Sequence, residues 1–357
     1  MERALGLAWR GWGRVHPNPL VGAVVLRDGE VVGEGWHAEF GGPHAERVAL
    51  DAAGPAARGA TLVVTLEPCA HHGKQPPCTE AIAAAGIARV VVAAADPNPA
   101  ADGGTEWLRA RGIAVEFGPG AVEACRQNAA FRHRFREPKR PFVALKLATS
   151  LDGAIADAGR RSRWISGDAA RDYVHWLRAG FDAVAVGGAT ARADDPSLTV
   201  RGSVTPRVAP RRVVFDRTLD LPDRLTLVRT ATAPRTIVLA DPAAVRERGR
   251  AALDRGLAVA GAMSLAEGLR WLREQEGVLS VLVEGGGRLA GALLAAGLVD
   301  RLYWIQAPVW LGAGAVPAFP GLPGLQLGTS PRWHVVERRA LGEDTLLVVD
   351  RDPCSPA

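Results

Sequence analysis

One histidine, one glutamate and two cysteines stand in an order that suits a catalytic metal site. The segment Pro43-His44-Ala45-Glu46 is followed by Glu67-Pro68-Cys69 and, nine residues after Cys69, by Cys78. One imidazole and two thiolates suit tetrahedral zinc and leave its fourth position for water. Glu46 can approach that water without being a ligand and move its proton to a leaving group. We therefore predict a catalytic zinc bound by His44, Cys69 and Cys78. Glu46 is then the catalytic residue.

Other interpretations of this set remain open. His71 and His72 lie between the two cysteines, so they are alternative ligands, substrate contacts or solvated side chains. A purely structural zinc is disfavoured, because such a site closes its fourth position with another Cys or His. The order His-x-Glu, then Pro-Cys, then Cys is typical of zinc deaminases, in which the glutamate is the general acid and base. Cys78 directly precedes a predicted helix, whose positive end favours a thiolate.

Glycine-rich turns in the second half are compatible with phosphate binding, although glycine triplets at the ends of strands are common in proteins that bind no phosphate. Gly285-Gly286-Gly287 follows the apolar run Val278–Val283 and precedes a predicted helix. With Ala290 in third place this segment fits the dinucleotide pattern, although it lies late in its domain, unlike a Rossmann first turn. Gly187-Gly188, with Thr190, is a second turn of this kind. Such backbones approach a pyrophosphate closely, as a nicotinamide site requires.

Strands and helices must alternate in the first half to position these residues. Arg27-Asp28-Gly29 between two β-branched runs predicts a hairpin. Alternation of this kind favours a buried sheet covered on both faces. The predicted strands are Leu20–Leu26, Glu30–Trp36, Thr61–Leu66, Arg89–Ala95 and Ile113–Phe117, and the predicted helices are Ala4–Trp9, His44–Ala53, Thr79–Ala85 and Ala121–Phe131.

A basic segment with two prolines, Arg132–Pro141, disfavours continued helix and predicts the domain boundary. We expect domains at residues 1–138 and 139–357. The predicted strands of the second domain are Phe142–Thr149, Ala183–Val186, Arg212–Phe215, Thr236–Leu239, Val278–Val283, Leu302–Gln306 and Thr345–Val349. Its predicted helices are Asp168–Arg178, Ala243–Leu253, Leu265–Gln275 and Arg288–Ala296.

Composition restricts the class of protein. The 357 residues are 48% hydrophobic and 23% charged, which excludes disorder and collagen-like repeats. No membrane span and no signal peptide are predicted, so we expect a cytoplasmic protein. Four cysteines are too few for a disulfide framework. Only three of the 43 basic residues are lysines, and arginine binds phosphate through two hydrogen bonds. A phosphorylated small ligand is therefore favoured over a nucleic acid.

Longer motifs resemble those of the bifunctional deaminase–reductases of riboflavin biosynthesis. The spacing of eight residues between Cys69 and Cys78 departs from the two-residue spacing of most cytidine and tRNA deaminases. The resemblance covers about residues 1 to 350. It rests on HPNPLVGAVV (16–25), GEGWH (33–37), PHAE, EPCAHHGKQPPC, DPNP (96–99), KLATSLDG (146–153), RWISG (163–167), ADDPSLTVR (193–201) and VEGGGRLAGALL (283–294).

This resemblance implies an α/β protein with two domains and two reactions. The N-terminal domain would be a three-layer α/β/α domain of the cytidine-deaminase type, and the C-terminal one an α/β domain like dihydrofolate reductase. The first would use Zn²⁺ to deaminate 2,5-diamino-6-(5-phosphoribosylamino)pyrimidin-4-one hydrolytically. The second would use NADPH to reduce the ribosyl group of the product to ribityl. The partner would be this small molecule, without nucleic acid or membrane, and we expect a homo-oligomer.

The resemblance also implies binding residues, position by position. Asn18, His37, His71 and Lys74 would contact the substrate in the deaminase. The implied reductase substrate positions are Ser162, Arg178, Leu198, Arg201 and Glu284. The implied cofactor positions are Ala148, Trp164, Thr190, Asp194, Gly286, Gly287, Arg288, Leu289, Ala290, Gly291 and Ala292. One further cofactor position of some members is Arg217 here, which could meet the 2′-phosphate of NADP.

Three questions stay open at the level of sequence. The proton donor of the reductase could be Lys146, Asp152 or Glu284. A nucleic-acid deaminase with an added binding domain is a rival interpretation, slightly favoured by the pI near 9.4. A non-enzymatic zinc-stabilised binding module is a second rival, which Glu46 beside the metal disfavours.

Overall fold

The chain divides into two compact units, Met1–Arg136 and a second one that begins at Glu137. The computed structural model describes residues 1–73, 75–101, 103–328 and 330–352. No helix in these ranges is long and apolar enough to cross a membrane.

A five-stranded sheet forms the centre of the first unit, in the order β2-β1-β3-β4-β5. Its strands are β1 (Gly22–Arg27), β2 (Glu30–Trp36), β3 (Thr61–Leu66), β4 (Arg89–Ala94) and β5 (Ala114–Phe117). Only the contacts of β1 are antiparallel; β3, β4 and β5 run parallel. Asp28 and Gly29 have positive φ angles of 51° and 86°, as a two-residue hairpin turn requires. The predicted hairpin is confirmed.

Helices cover both faces of this sheet. The helices are α1 (Glu2–Ala8), α2 (Ala45–Ala53), α3 (Cys78–Ala84), α4 (Gly104–Arg109), α5 (Ala121–Gln127) and α6 (Ala129–Arg136). One face packs against α2, α3 and α4, through residues such as Leu50, Ile82 and Leu108. The other packs against α1 and α5 through Leu5 and Ala124. The predicted three-layer α/β/α arrangement is therefore confirmed.

The predicted helix Ala121–Phe131 is wrong, and so is the prediction that helix is disfavoured from Arg132. The chain breaks at Asn128, whose side-chain amide accepts from the N–H of Leu20 at 2.8 Å and donates to its carbonyl at 2.9 Å. A second helix, α6, then continues to Arg136. The first proline of the segment is Pro138, so its steric effect begins only at Glu137.

The second unit is built on a nine-stranded sheet, in the order β11-β10-β9-β8-β12-β6-β13-β16-β15. Its strands are β6 (Phe142–Thr149), β8 (Ala183–Gly187), β9 (Arg211–Phe215), β10 (Thr236–Ala240), β11 (Ala258–Gly261), β12 (Ser280–Val283), β13 (Arg301–Gln306), β15 (His334–Leu341) and β16 (Asp344–Asp350). The short β7 (Ala154–Ala156) and β14 (Val316–Pro317) pair separately. The first seven strands in this order, from β11 across to β13, all run parallel. Strand β16 is antiparallel to β13, and β15 is antiparallel to β16.

Alternate residues of the parallel strands enter two hydrophobic cores on opposite faces. Val213 and Val283 belong to one core and Val214 and Val184 to the other. The helices are α7 (Asp168–Ala179), α8 (Gly188–Asp194), α9 (Thr226–Arg229), α10 (Pro242–Asp254), α11 (Leu265–Gln275) and α12 (Gly287–Ala295). The seven predicted strands and four predicted helices of this half are present with small shifts in their ends.

Candidate functional site

The zinc-ligand candidates of the first unit converge at the carboxyl end of β3 and the start of two helices. His44 immediately precedes α2, Cys69 follows β3, and Cys78 is the first residue of α3. Nδ1 of His44 lies 3.2 Å from Sγ of Cys78 and 3.6 Å from Sγ of Cys69. Bond lengths of ~2.0 Å to nitrogen and ~2.3 Å to sulfur at tetrahedral angles put such ligand atoms about 3.5 Å apart. The three residues therefore fit a zinc ion.

No fourth Cys, His, Asp or Glu joins this cluster among the described residues. His71 is exposed, and His72 is exposed with its Nε2 3.5 Å from Glu80. The alternative that either histidine replaces a ligand finds no support in the geometry. The predicted contact Lys74 lies outside the described residues.

Glu46 lies in the first turn of α2, buried beside the cluster. Burial raises the pKa of its carboxyl to about 7, with the nearby His44 opposing the shift. Hydrogen bonds from Cys78 and His44 lower the pKa of the Cys69 thiol, whereas the hydrogen bond to Cys69 and burial raise the pKa of Cys78. The expected effect of the helix end on Cys78 is therefore outweighed, and Cys69 is the favoured thiolate. A carboxyl with a pKa near neutrality can both accept and donate a proton, as a general acid–base residue must.

Asn18 and His37 meet in the wall of a cavity that also contains His44, Glu46 and Cys69. Nδ2 of Asn18 lies 3.1 Å from Nε2 of His37, and Nδ1 of His37 lies 3.0 Å from the carbonyl of Pro43. Because only a protonated Nδ1 can donate to that carbonyl, Nε2 is left to accept from the Asn18 amide. Burial lowers the pKa of His37 and favours this neutral ring. The Asn18 amide oxygen remains for a ligand.

The cavity of the first unit is lined by most of the predicted residues of the deaminase and by several others. Asn18, His37, His44, Glu46, Cys69 and His71 line it, together with Gln75, Asp96, Asn98 and Arg134. Burial raises the pKa of Asp96 to about 6, although the N–H of Asn98 and the charge of Arg134 oppose this. Asp96 belongs to the DPNP motif, which was recognised without a role for it. Arg134 was missed because its segment was interpreted as a boundary.

The second unit carries a separate cavity at the carboxyl ends of β8, β12 and β6. These three strands are parallel neighbours, so the turns after them meet at one edge of the sheet. Gly286 in the turn after β12 has a φ of 33°, and a Cβ there would lie 2.5 Å from Oγ1 of Thr190. This glycine therefore allows the turns after β8 and β12 to approach each other closely.

Most of the predicted reductase residues line this cavity, which measures about 720 Å³. They are Ala148, Ser162, Trp164, Arg178, Thr190, Asp194, Leu198, Arg201, Glu284 and Gly286. The rest of the predicted cofactor stretch, residues 287–292, forms the first turns of α12, where Leu289 and Ala290 pack in the core. Arg217 is almost fully exposed, 3.9 Å from Asp241, and does not line the cavity. The roles of residues 287–292 and of Arg217 stay predictions.

An ion pair lies inside this cavity. Nε and Nη2 of Arg178 donate to the two carboxylate oxygens of Glu284 at 2.5 Å and 2.8 Å. Burial alone raises the pKa of Glu284, but Arg178 and then Lys146 bring it below its ordinary value. Burial lowers the pKa of Lys146, with Glu284 opposing the shift. Glu284 is therefore an ionised acceptor beside a lysine.

Asp152 lies apart from this group. It is exposed, and its carboxylate accepts from the backbone N–H groups of Leu311 and Gly312 at 3.2 Å and 2.8 Å. The Ser150 hydroxyl and these N–H groups lower the pKa of Asp152 to about 2. An exposed, strongly acidic carboxylate outside the cavity is not placed to donate a proton there.

These two cavities and the folds that carry them define the class of protein: a zinc-dependent deaminase unit followed by a separate α/β unit that has its own cavity beside two glycine-rich turns. Comparison with known proteins agrees. Residues 1–94 match the cytidine and deoxycytidylate deaminase zinc-binding region, and residues 141–347 match the RibD C-terminal domain.

The chain belongs to the RibD family of riboflavin-biosynthesis proteins. It is 42% identical to riboflavin biosynthesis protein RibD of Escherichia coli, over 97% of each chain. It is similar to the solved structure of Acinetobacter baumannii RibD, with 36% identity and a TM-score of 0.82 over 98% of this chain and 97% of that one. It is also similar to a diaminohydroxyphosphoribosylaminopyrimidine deaminase/5-amino-6-(5-phosphoribosylamino)uracil reductase of Thermotoga maritima, with 37% identity and a TM-score of 0.81 over 98% and 97%.

Proposed function

We propose that this protein catalyses two successive steps of riboflavin biosynthesis. The first unit removes the 2-amino group of 2,5-diamino-6-(5-phosphoribosylamino)pyrimidin-4(3H)-one by hydrolysis, which releases ammonia. The second unit reduces the ribosyl side chain of the product with NADPH, giving 5-amino-6-(5-phosphoribitylamino)uracil. The observation that carries the proposal is the convergence of His44, Cys69 and Cys78 beside Glu46 in a chain that belongs to the RibD family.

In the deaminase, the residues of this chain hold the pyrimidine and move protons. Zinc, when held by the three ligands, supplies a water of lowered pKa as the nucleophile. The Glu46 carboxylate accepts a proton from the attacking water and gives it to the departing amino nitrogen. Its buried position beside the three ligands suits both transfers. The Asn18 amide oxygen, oriented by His37, accepts from an N–H on the edge of the pyrimidine.

In the reductase, the cavity must hold both cofactor and sugar. NADPH supplies the hydride, and the turns after β8 and β12 would hold its phosphates. Hydride transfer to C1′ with opening of the sugar ring breaks the bond between C1′ and the ring oxygen, and that oxygen then needs a proton. The ion pair with Arg178 keeps Glu284 ionised, and Asp152 lies outside the cavity. We therefore assign the donor to Lys146, which lines the same cavity as Glu284.

A coupled assay with mass spectrometry tests both steps. The full chain, incubated with the diamino substrate and NADPH, should give the ribitylamino uracil and one equivalent each of ammonia and NADP⁺. Glu46→Gln should keep its zinc and lose about 10²–10⁴-fold in deamination, because glutamine cannot accept the proton. It should still reduce substrate that is already deaminated. Deamination by this variant near the wild-type rate would refute the role of Glu46.

The remaining proposals concern organisation and location. We propose that residues 1–138 and 139–357 are separate catalytic domains, so the two pieces expressed apart should each retain one activity. Cys69, Cys78 and Cys125 are thiols rather than disulfide halves, which supports the cytoplasm as the compartment. Exposed Trp310 and Leu327 support a homo-oligomer. Cell fractionation measures the location, and analytical sedimentation measures the oligomeric state.

A further inference from the structure

His175 lies in the cavity of the second unit and has no role in the reaction as described so far. It is on α7, three residues before Arg178, and lines the cavity. Nδ1 of His175 lies 3.5 Å from Nη1 of Arg178. Nη1 of Arg178 donates to the carbonyl of Thr199 at 2.7 Å, and the His175 ring faces the same carbonyl. The imidazole is thus held in place at the wall of the cavity.

Arg178 has few hydrogen-bond donors left for a ligand. Its Nε and Nη2 bind Glu284, and its Nη1 binds Thr199. The side chains of Arg178 and Glu284 are only 11% and 10% exposed. The charge of Glu284 compensates that of Arg178 and would repel an anion bound beside it. The pair therefore makes a poor phosphate site by itself.

Arg201, in contrast to Arg178, has its hydrogen-bond donors available for a ligand. It is exposed, lines the same cavity, and has no hydrogen-bond or ion-pair partner within the part of the chain that the structure describes. Its charge reaches His175, since it lowers the pKa of that ring. A guanidinium with unused donors and an imidazole that line the same cavity are a combination that binds an anion.

We propose that His175 is a further binding residue of the reductase cavity and that, with Arg201, it receives the phosphate of the substrate. This rests on the proposed reductase function, which supplies a phosphorylated sugar as ligand. Arg178 then serves mainly to hold Glu284, and the phosphate lies on the side of His175 and Arg201.

Anion binding beside His175 depends on pH. In the free cavity, burial and then the charges of Arg178 and Arg201 lower the pKa of His175, while Glu284 opposes them. The same cavity is also lined by positive side chains (Lys146, Arg160, Arg163 and Arg171) and by two negative ones (Asp194 and Asp195). A bound anion favours the protonated ring, so the pKa of His175 rises on binding. Binding must therefore be tighter at low pH, where the ring is already charged.

Inorganic sulfate is the probe, because its charge does not change between pH 5.5 and pH 8.5. Calorimetric titration of the full-length wild-type protein should show about tenfold weaker sulfate binding at pH 8.5, the equivalent of about one pKa unit. His175→Gln should bind weakly at both pH values. His175→Lys should bind sulfate without the pH dependence. Arg201→Ala should bind more weakly and keep the pH dependence, because His175 remains.

Kinetics of the reductase complete the test. With deaminated substrate, His175→Gln should raise KM about tenfold or more, with kcat and the KM for NADPH near wild type. His334→Gln, at an exposed position on β15, is the matched control and should change neither constant.

Two results would overturn the assignment: pH-independent sulfate binding by the wild-type protein, or an unchanged KM in His175→Gln. Sulfate binding needs no turnover. Wild-type protein that binds sulfate as expected but does not reduce the substrate would refute the proposed function and not the anion site.

Discussion

The carboxylate of Glu67 accepts a hydrogen bond of 3.0 Å from the backbone N–H of Thr105, and the same oxygen lies 3.0 Å from the Thr105 hydroxyl, which is equally close to the carboxylate of Glu106. Its other oxygen lies 3.4 Å from the backbone N of Asp96. Glu67 is buried two residues before Cys69, so this one side chain connects the zinc-ligand loop to the start of α4 and to a wall of the cavity.

Replacing Glu67 by glutamine should loosen this connection. The amide keeps the shape but offers one acceptor oxygen instead of two, so a buried donor of Thr105 or Asp96 loses its partner. Hydrogen bonds to charged groups contribute about 1.5–3 kcal/mol. We expect zinc to be released at a lower urea concentration, measured with a colorimetric chelator. Glu30→Gln, on the exposed start of β2, is the control. If zinc is released at the same urea concentration from both variants, Glu67 does not stabilise the zinc-ligand loop.

The start of α4 also approaches the zinc loop through its backbone. A Cβ on Gly104 would lie 1.8 Å from the carbonyl oxygen of Pro68. We expect Gly104→Ala to destabilise the first unit by about 1–3 kcal/mol, because backbone atoms must move to relieve the clash. Gly6→Ala, within α1 and with nothing inside 4 Å of the new Cβ, should instead stabilise by about 0.5–1 kcal/mol. Urea unfolding followed by circular dichroism measures both, and a Gly104→Ala variant as stable as wild type refutes the expectation.

These contacts show where inference from the sequence ends. The zinc ligands could be predicted because their chemistry is carried by residue types within short motifs. Thr105 lies 38 residues after Glu67, and no local pattern joins them. Helix α4 begins with glycine and was not predicted, since its tertiary packing outweighs a weak local propensity.

The same limit applies in the second unit. The interpretation of the glycine turns depends on the family resemblance, and no motif marks His175. Arg178 lies on the same helix, but Arg201 and Glu284, whose charges also act on the His175 ring, come from distant segments. Strand β15, with the charged sequence HVVERRAL, lies at the edge of the sheet and lacks the apolar run that marked the central strands. An edge strand carries charges because they oppose unwanted pairing, which weakens its sequence signal.

Zinc content tests the ligand assignment without any assay of activity. Wild-type protein should carry about one zinc per chain in the tetrahedral site. Cys69→Ala combined with Cys78→Ala removes two of the three ligands and should leave the purified protein without zinc, as measured by plasma mass spectrometry. Cys125→Ala is the control, because this buried thiol lies outside the cluster. A full equivalent of zinc in the double variant would show that other residues bind the metal.

The last prediction concerns the pH dependence of the reductase. If Lys146 donates the proton, the rate depends on its ammonium form, which is present below its pKa and lost above it. Burial lowers that pKa from its ordinary value, so the alkaline fall in kcat should begin at a lower pH than an exposed lysine would give. Lys146→Met should lower kcat by about 10²–10⁴-fold and remove this alkaline limb. Lys139→Met, in the segment before β6, should leave the profile of kcat against pH unchanged. A Lys146→Met profile that still falls at the wild-type pH would assign the donor to another group.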